Sequence, residues 1–186
     1  MKKIILILLC LSGFSSSAQN KKEIRKLHIK STTVIVSEKS GDKELNYTES
    51  FESYDSNGNT IEETLEQPDG DFRKKVSSVY DKNDRITEER IFNNKGQLES
   101  TTNYSYNSEG NKTEEKKTNA AGIIITWWKG EYNSLRNRVR EEWLDRNGIV
   151  ERYAVYTYDN NDLKKEKKYF NEKGEVLSVK TYSYQY

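Results

Sequence analysis

Six tyrosines, Tyr54, Tyr80, Tyr106, Tyr132, Tyr158 and Tyr184, follow one another at a constant step, each difference (80 − 54, 106 − 80 and so on) being 26 residues. The glycines Gly70, Gly96, Gly122, Gly148 and Gly174 keep the same step. Fixed-period self-similarity is the signature of a repeat architecture, in which each unit buries its surface against its neighbours. It constrains the shape of the chain far more than its chemistry.

Each repeat carries two turns. One follows the tyrosine, as in Asp55-Ser56-Asn57-Gly58, Asp81-Lys82-Asn83-Asp84 and Asn107-Ser108-Glu109-Gly110. The other ends in the periodic glycine, as in Asn93-Asn94-Lys95-Gly96 and Asp145-Arg146-Asn147-Gly148. Asn, Asp and Gly tolerate the left-handed backbone that tight hairpin loops demand, and Pro68, the one proline, falls in a turn where it removes no ladder hydrogen bond. The segments between turns are short and rich in β-branched and aromatic residues, which predicts strands. The expected fold is all-β: an antiparallel meander of repeated hairpins with about twelve strands, largely a single-layer twisted sheet, open or curled into a partial barrel.

Four-residue turns would pair Leu65 with Phe72, Ile91 with Leu98, Lys117 with Ile124, Trp143 with Val150 and Tyr169 with Val176. The same register sets Glu63 opposite Lys74 and Glu141 opposite Arg152. It gathers Tyr80, Ile91, Leu98, Tyr104, Tyr106, Trp128, Trp143, Tyr156, Tyr158 and Tyr182 on one face, leaving the other charged and solvated.

Composition sharpens this. One third of the residues are hydrophobic and one third charged, too little aliphatic material for a thick two-layer core, while 13 Tyr and 3 Trp set the chain apart from a disordered tail. The formal charge of +1, with acids and bases interleaved, gives no case for a nucleic-acid partner.

At the start, Lys2 and Lys3 precede an apolar run, Ile4 to Leu11, too short to span a bilayer, and Ser16-Ser17-Ala18 offers small residues for cleavage. Residues 1–18 are therefore expected to be a signal peptide cleaved near Ala18, the protein being exported to the periplasm or the cell surface. Cys10, the single cysteine, lies within that segment, so the mature chain would hold no disulfide. Residues 19–53 read as a leader, a short helix or a flexible segment, followed by a capping hairpin; residues 54–186 form the repeat domain.

From about Tyr54 onward, Tyr-Asp followed by Asn-Gly-Asn and Glu-Glu, with a second Gly-centred turn and a returning Tyr-x-Tyr, resembles the YD repeats of the RHS family and, more distantly, MORN-type hairpin repeats. The period here is longer than is usual for RHS repeats, and no toxin or self-cleaving core domain accompanies it. The resemblance implies an exported repeat module for binding or display.

No catalytic constellation emerges. His28 is the only histidine and lies in the leader, which removes the usual nucleophile–base pairs and a histidine-based zinc site. Adjacent carboxylates such as Glu62-Glu63 and Glu141-Glu142 would point to opposite faces of a strand. Asp55-x-Asn57-x-Asn59 has the opening of a calcium loop without its downstream glutamate in a helical context, and turn chemistry accounts for it. No metal or other cofactor is implied.

The better lead is aromatic. Trp127, Trp128, Trp143, Tyr153 and Tyr156 cluster in sequence after Ile123-Ile124-Ile125. They are either a local core or a platform for a glycan or protein partner. The last segment, Val176 to Tyr186, has a single charge after Glu175 and no proline, an undefended edge that invites strand addition and self-association. Strands such as Leu163 to Lys168 have no lipid-facing side, which argues against membrane insertion. Three functions follow: a non-catalytic binding module, a passive self-assembling structural protein, and an immunity or adaptor protein for a toxin.

Overall fold

The computed structural model describes residues 17–40, 43–66 and 72–185. Most of the expected signal peptide, residues 41–42, residues 67–71 with Pro68 and Gly70, and Tyr186 lie outside the described residues. The described residues form one helix, α1 (Ser17–Leu27), and then twelve strands. They are β1 (Ser31–Ser40), β2 (Lys43–Tyr54), β3 (Thr60–Glu66), β4 (Phe72–Tyr80), β5 (Ile86–Phe92) and β6 (Leu98–Tyr106), then β7 (Lys112–Asn119), β8 (Ile124–Tyr132), β9 (Arg138–Leu144), β10 (Val150–Tyr158), β11 (Lys164–Asn171) and β12 (Val176–Thr181). All belong to one sheet whose spatial order is the chain order, each strand antiparallel to the next. The sheet is open: β1 and β12 are its two edges and do not pair with each other.

The nine described turns from Asp55 onward share one construction. The first residue, Asp or Asn, accepts a backbone hydrogen bond from the fourth and donates one to the carbonyl of the fifth. Its side-chain Oδ1 accepts the amide of the fifth residue, and in eight of the nine turns that of the third as well. This is the three-residue hairpin loop with a bulge at a left-handed fourth position. That position is Gly in six turns, Asp in two (Asp84 and Asp162) and Arg in one (Arg136).

The bulge corrects the expected register. Ile91 lies opposite Ser100, Trp143 opposite Arg152 and Tyr169 opposite Ser178, while Leu65 and Lys117 face Lys74 and Thr126. Likewise Glu63 faces Val76 and Glu141 faces Ala154, not Lys74 and Arg152. Each partner moves by two residues, because the loop and its bulge absorb more chain than a plain four-residue turn. A two-residue shift preserves side-chain parity, so the face holding Tyr104, Trp128, Trp143 and Tyr156 survives; we call it the Trp143 face.

It is not purely aromatic, however, and the other is not purely charged. Glu63, Glu89, Glu115, Glu141, Arg152 and Lys167 share the Trp143 face, whereas Trp127, Tyr153 and Phe170 lie on the opposite face among Lys116, Lys129 and Glu142.

The marker tyrosines have a specific task. The hydroxyls of Tyr80, Tyr106, Tyr132, Tyr158 and Tyr184 donate to the carbonyls of Thr60, Ile86, Lys112, Arg138 and Lys164, at 3.0, 2.8, 2.9, 2.7 and 2.9 Å. Each bond spans 20 residues and ties the end of one hairpin to the start of the strand before it. Tyr54, the first of the series, makes no such carbonyl bond to β1; its hydroxyl donates to Glu52 and lies within hydrogen-bond distance of Thr32 Oγ1 on β1.

The leader is helical. α1 ends with His28 in a left-handed conformation (φ 53°), with Ile29 N–H bonding to Ile24 and His28 N–H to Arg25, a Schellman cap. The helix buries Ile24 and presses its backbone against the first repeat's turn: a Cβ on Gly58 would sit 2.7 Å from the Lys21 carbonyl oxygen.

Along the tyrosine-side row, an asparagine at the fifth position of two turns reaches the fourth residue of the next. Asn59 Nδ2 donates to Asp84 Oδ1 at 2.9 Å and Asn137 Nδ2 to Asp162 Oδ1 at 3.4 Å. Asn111 should do the same, but the next turn offers Arg136, which has no acceptor, and Asn111 Nδ2 is left buried without a partner. Arg136→Asn should therefore stabilise the protein. It removes a bulky residue from a left-handed position (φ 64°) and supplies a carbonyl to an orphaned donor, together worth about 1 kcal/mol. Thermal denaturation should show a Tm raised by about 2–4 °C; an unchanged or lower Tm would refute the account.

Candidate binding surface

The five aromatic residues singled out above do not form one site. Trp128, Trp143 and Tyr156 share the Trp143 face, and Trp127 and Tyr153 occupy the other. All but Tyr156 are half-buried, a state between the core and the open platform that the sequence allows.

On the Trp143 face, β10 passes beneath a bridge of rings. Trp143 on β9 and Tyr169 on β11 stack with centroids 6.1 Å apart, and Ala154, between them on β10, is 0% exposed. Trp128 folds back along its own strand over Gly130, where a Cβ would lie 2.5 Å from Cη2 of the indole. Any side chain there would push the indole from this position.

Beside this bridge lies Glu141, 3% exposed. Its Oε1 pairs with Lys167 and accepts the Tyr156 hydroxyl at 2.7 Å. Its Oε2 accepts Arg138 Nη1 at 3.0 Å and Trp128 Nε1 at 3.3 Å. Burial by itself would raise the Glu141 pKa, but hydrogen bonds from Lys167 and Tyr156 and the charges of Lys167 and Arg138 outweigh it and hold the carboxyl below the ordinary glutamate range. Burial likewise works to lower the Lys167 pKa, and its bonds to Glu141, Tyr156 and Tyr169 override this and raise it. The group is a knot of one carboxylate and two cations, in which the carboxylate's donors come from β8, β9, β10 and β11.

The opposite face is smaller and more open. Trp127 Nε1 donates to Glu114, with the Lys116 ammonium 3.6 Å and that of Lys129 5.0 Å from the ring centroid. Tyr153 and Phe170 stack at 4.8 Å, with the Arg140 guanidinium 4.0 Å above Tyr153. On both faces the aromatic rings are roofed by lysine and arginine side chains, not by a second layer of structure. Arg152 over Trp143 (4.5 Å) and Lys167 over Tyr169 (4.5 Å) repeat the arrangement.

Sequence reading missed Glu141, Arg138, Lys167 and Gly130. Gly130 carried a signal, being a glycine inside a strand and out of phase with the periodic ones. Glu141 and Lys167 stand one repeat apart, and their opposite charges at the same phase were the clue. The suggested calcium opening is a turn: Asp55 spends Oδ1 on the Asn57 and Asn59 amides and Oδ2 on Asn59 Nδ2. Among the described residues no group of three or more His, Cys, Asp or Glu is placed to hold a metal ion.

Glu141→Gln should destabilise the protein by about 3 kcal/mol at neutral pH, because Lys167 and Arg138 lose their buried counter-charge. The double variant Glu141→Gln/Lys167→Met should recover a large part of this loss. Glu141's depressed pKa gives stability that is present above about pH 4.3 and lost as pH falls through the folded value, whereas Lys167's raised pKa gives stability present below about pH 10.4 and lost as pH rises through its folded value. Chemical denaturation across pH should show a shallower acid limb in Glu141→Gln; an acid limb identical to wild type would exclude Glu141 as its source.

No family model matches the chain, and no curated protein matches it. Among solved structures, it is similar to a porin-like protein from Bacteroides uniformis, with a TM-score of 0.47 and 10% identity over 82% of each chain. It is also similar to part of the Photorhabdus luminescens Tc holotoxin pore (TM-score 0.26, 11% identity), where the match covers 81% of this chain and 11% of that one. A DUF3836 family protein from Bacteroides vulgatus gives a TM-score of 0.25 at 21% identity, over 60% of this chain and 99% of the other.

Proposed function

We propose that this chain is a non-catalytic, exported repeat module that binds a protein or glycan partner through the Trp143 face, in keeping with its likeness to YD-type hairpin repeats. The observation that carries the reading is the cover over that face. Trp128, Trp143 and Tyr169 form a contiguous aromatic strip; Lys167 is held over Tyr169 by Glu141, whereas Arg152, exposed above Trp143, is a long, flexible side chain able to swing aside. Aromatic rings with cationic neighbours on a rigid sheet suit stacking against sugar rings or partner side chains. Support for a non-catalytic role is the commitment of Glu141, the buried carboxylate of this face, to four donors. The reading as an immunity or adaptor protein for a toxin rests on the repeat resemblance alone.

The test is a panel of soluble oligosaccharides and a display library of peptides, scored by change in tryptophan fluorescence. A ligand should be found whose affinity falls about tenfold or more in Trp143→Phe and stays unchanged in Trp127→Phe. A panel with no ligand, or one whose ligands ignore Trp143, would remove the site.

A second reading, self-assembly, is favoured by β12. Every residue of this edge strand is exposed, including Val176, Leu177 and Val179 (47%), and its outer backbone groups have no neighbouring strand. Light scattering should then show concentration-dependent association that Val179→Lys abolishes; a monomer at all concentrations would refute it.

A further inference from the structure

Between the turns at 133–136 and 159–162 lies an open groove of about 410 Å³, lined by Tyr132, Arg136, Arg138, Tyr156, Asp162 and Lys164 among others. Three cations face one carboxylate there. Arg138 is already engaged: Nη1 bonds to Glu141, and Nε and Nη2 bond to the Tyr132 hydroxyl at 3.3 and 3.1 Å. Arg136 makes no side-chain hydrogen bond or ion pair among the described residues, and Lys164 only overlies the rings of Tyr156 and Tyr182 at 5.4 and 5.6 Å. Neither cation is held in a salt bridge among the described residues; Arg136 is felt only at a distance by Glu109, and Asp162 is the one carboxylate lining the groove.

Arg136 is also the wrong residue for its backbone. It occupies a left-handed position that the other eight turns give to Gly or Asp, and its presence leaves Asn111 Nδ2 unpaired. A residue that costs its own turn on two counts points to a use elsewhere, and the groove is what it lines. We propose that this groove binds the carboxylate of an acidic saccharide. Arg136 would grip the carboxylate through its planar fork, Lys164 would add a point charge, and Asn137 and Asp162 would meet hydroxyl groups. The open groove admits a chain and does not demand a chain end. This rests on the binding-module reading and assigns it a second contact beside the aromatic strip.

The test uses the mature protein and three probes at low ionic strength, followed by calorimetry: a tetramer of galacturonic acid, its fully methyl-esterified form and inorganic phosphate. The acid tetramer should bind, the ester should not, and phosphate should bind at least about tenfold more weakly. Arg136→Asn and Lys164→Met should each weaken the acid tetramer about tenfold or more. Because Arg136→Asn is expected to be more stable than wild type, its lost binding cannot be blamed on misfolding. Equal binding of the ester, phosphate binding as tight as the tetramer's, or full affinity in Arg136→Asn would each overturn the proposal. If the acid tetramer fails while another ligand still reports through Trp143, the groove is refuted and the aromatic site stands.

Discussion

A single-layer sheet has no inside. Domains ordinarily hide the apolar face of a sheet against a second layer, and here, among the described residues, twelve strands lie edge to edge with α1 added at one end. Every stabilising contact must therefore run within the plane of the sheet or along its surface. That constraint explains the composition. Aliphatic residues would have nothing to cover them, whereas a tyrosine or tryptophan can lie flat along its neighbours and a lysine or arginine can lay its methylenes over the ring with the charge still in water. The closely spaced cation–ring pairs across β7 to β11 are this sheet's substitute for a core.

In-plane cohesion also needs the strands to stay in register, since alternation alone leaves a two-sided polar sheet free to slip. The turns and tyrosines supply the pins. Each bulged loop is locked by an Asp or Asn side chain that caps amides of its own turn, and each tyrosine hydroxyl then ties one hairpin to the preceding one. Contributions of about 1 kcal/mol per hydrogen bond, repeated at a constant step, accumulate along the array as nearest-neighbour terms. The 26-residue period is the spacing at which these pins recur.

The sequence displays this framework openly, since turn residues advertise backbone conformation. The Asn- and Asp-led turns, the twelve strands and their antiparallel order could all be read from it. The register could not. Asn-x-x-Gly is compatible with more than one loop, and the bulge after the left-handed residue shows only in the hydrogen bonds. The equivalence of the two turn rows was also hidden, because Asp84, Arg136 and Asp162 stand where Gly96 or Gly122 stands in the other row. The binding surface was half legible: the tryptophans were conspicuous, but their division between faces puts Trp127 and Tyr153 out of reach of Trp143. Glu141 looked like one of many solvated acids, for its burial depends on partners up to 26 residues away.

Position 141 shows how a repeat can acquire a centre. The same phase holds Glu63, Glu89, Glu115, Glu141 and Lys167, on alternate strands of the Trp143 face and so roughly 10 Å apart. Like charges at that spacing disfavour ionisation, and the effect is felt by their surroundings. Burial raises the pKa of Glu63, aided by Glu52 and Glu89, and burial with Glu89 and Glu115 pushes Tyr104 up to about 12. A fifth glutamate at 167 would have extended the repulsion into the most aromatic part of the sheet, where water is least able to screen it. Lysine at that phase reverses the sign, and the large rings of Trp128, Trp143 and Tyr169 can then close over the pair without stranding a charge. The aromatic strip and the sign change at 167 are thus one feature: the rings can cover the sheet here because the charge beneath them is neutralised.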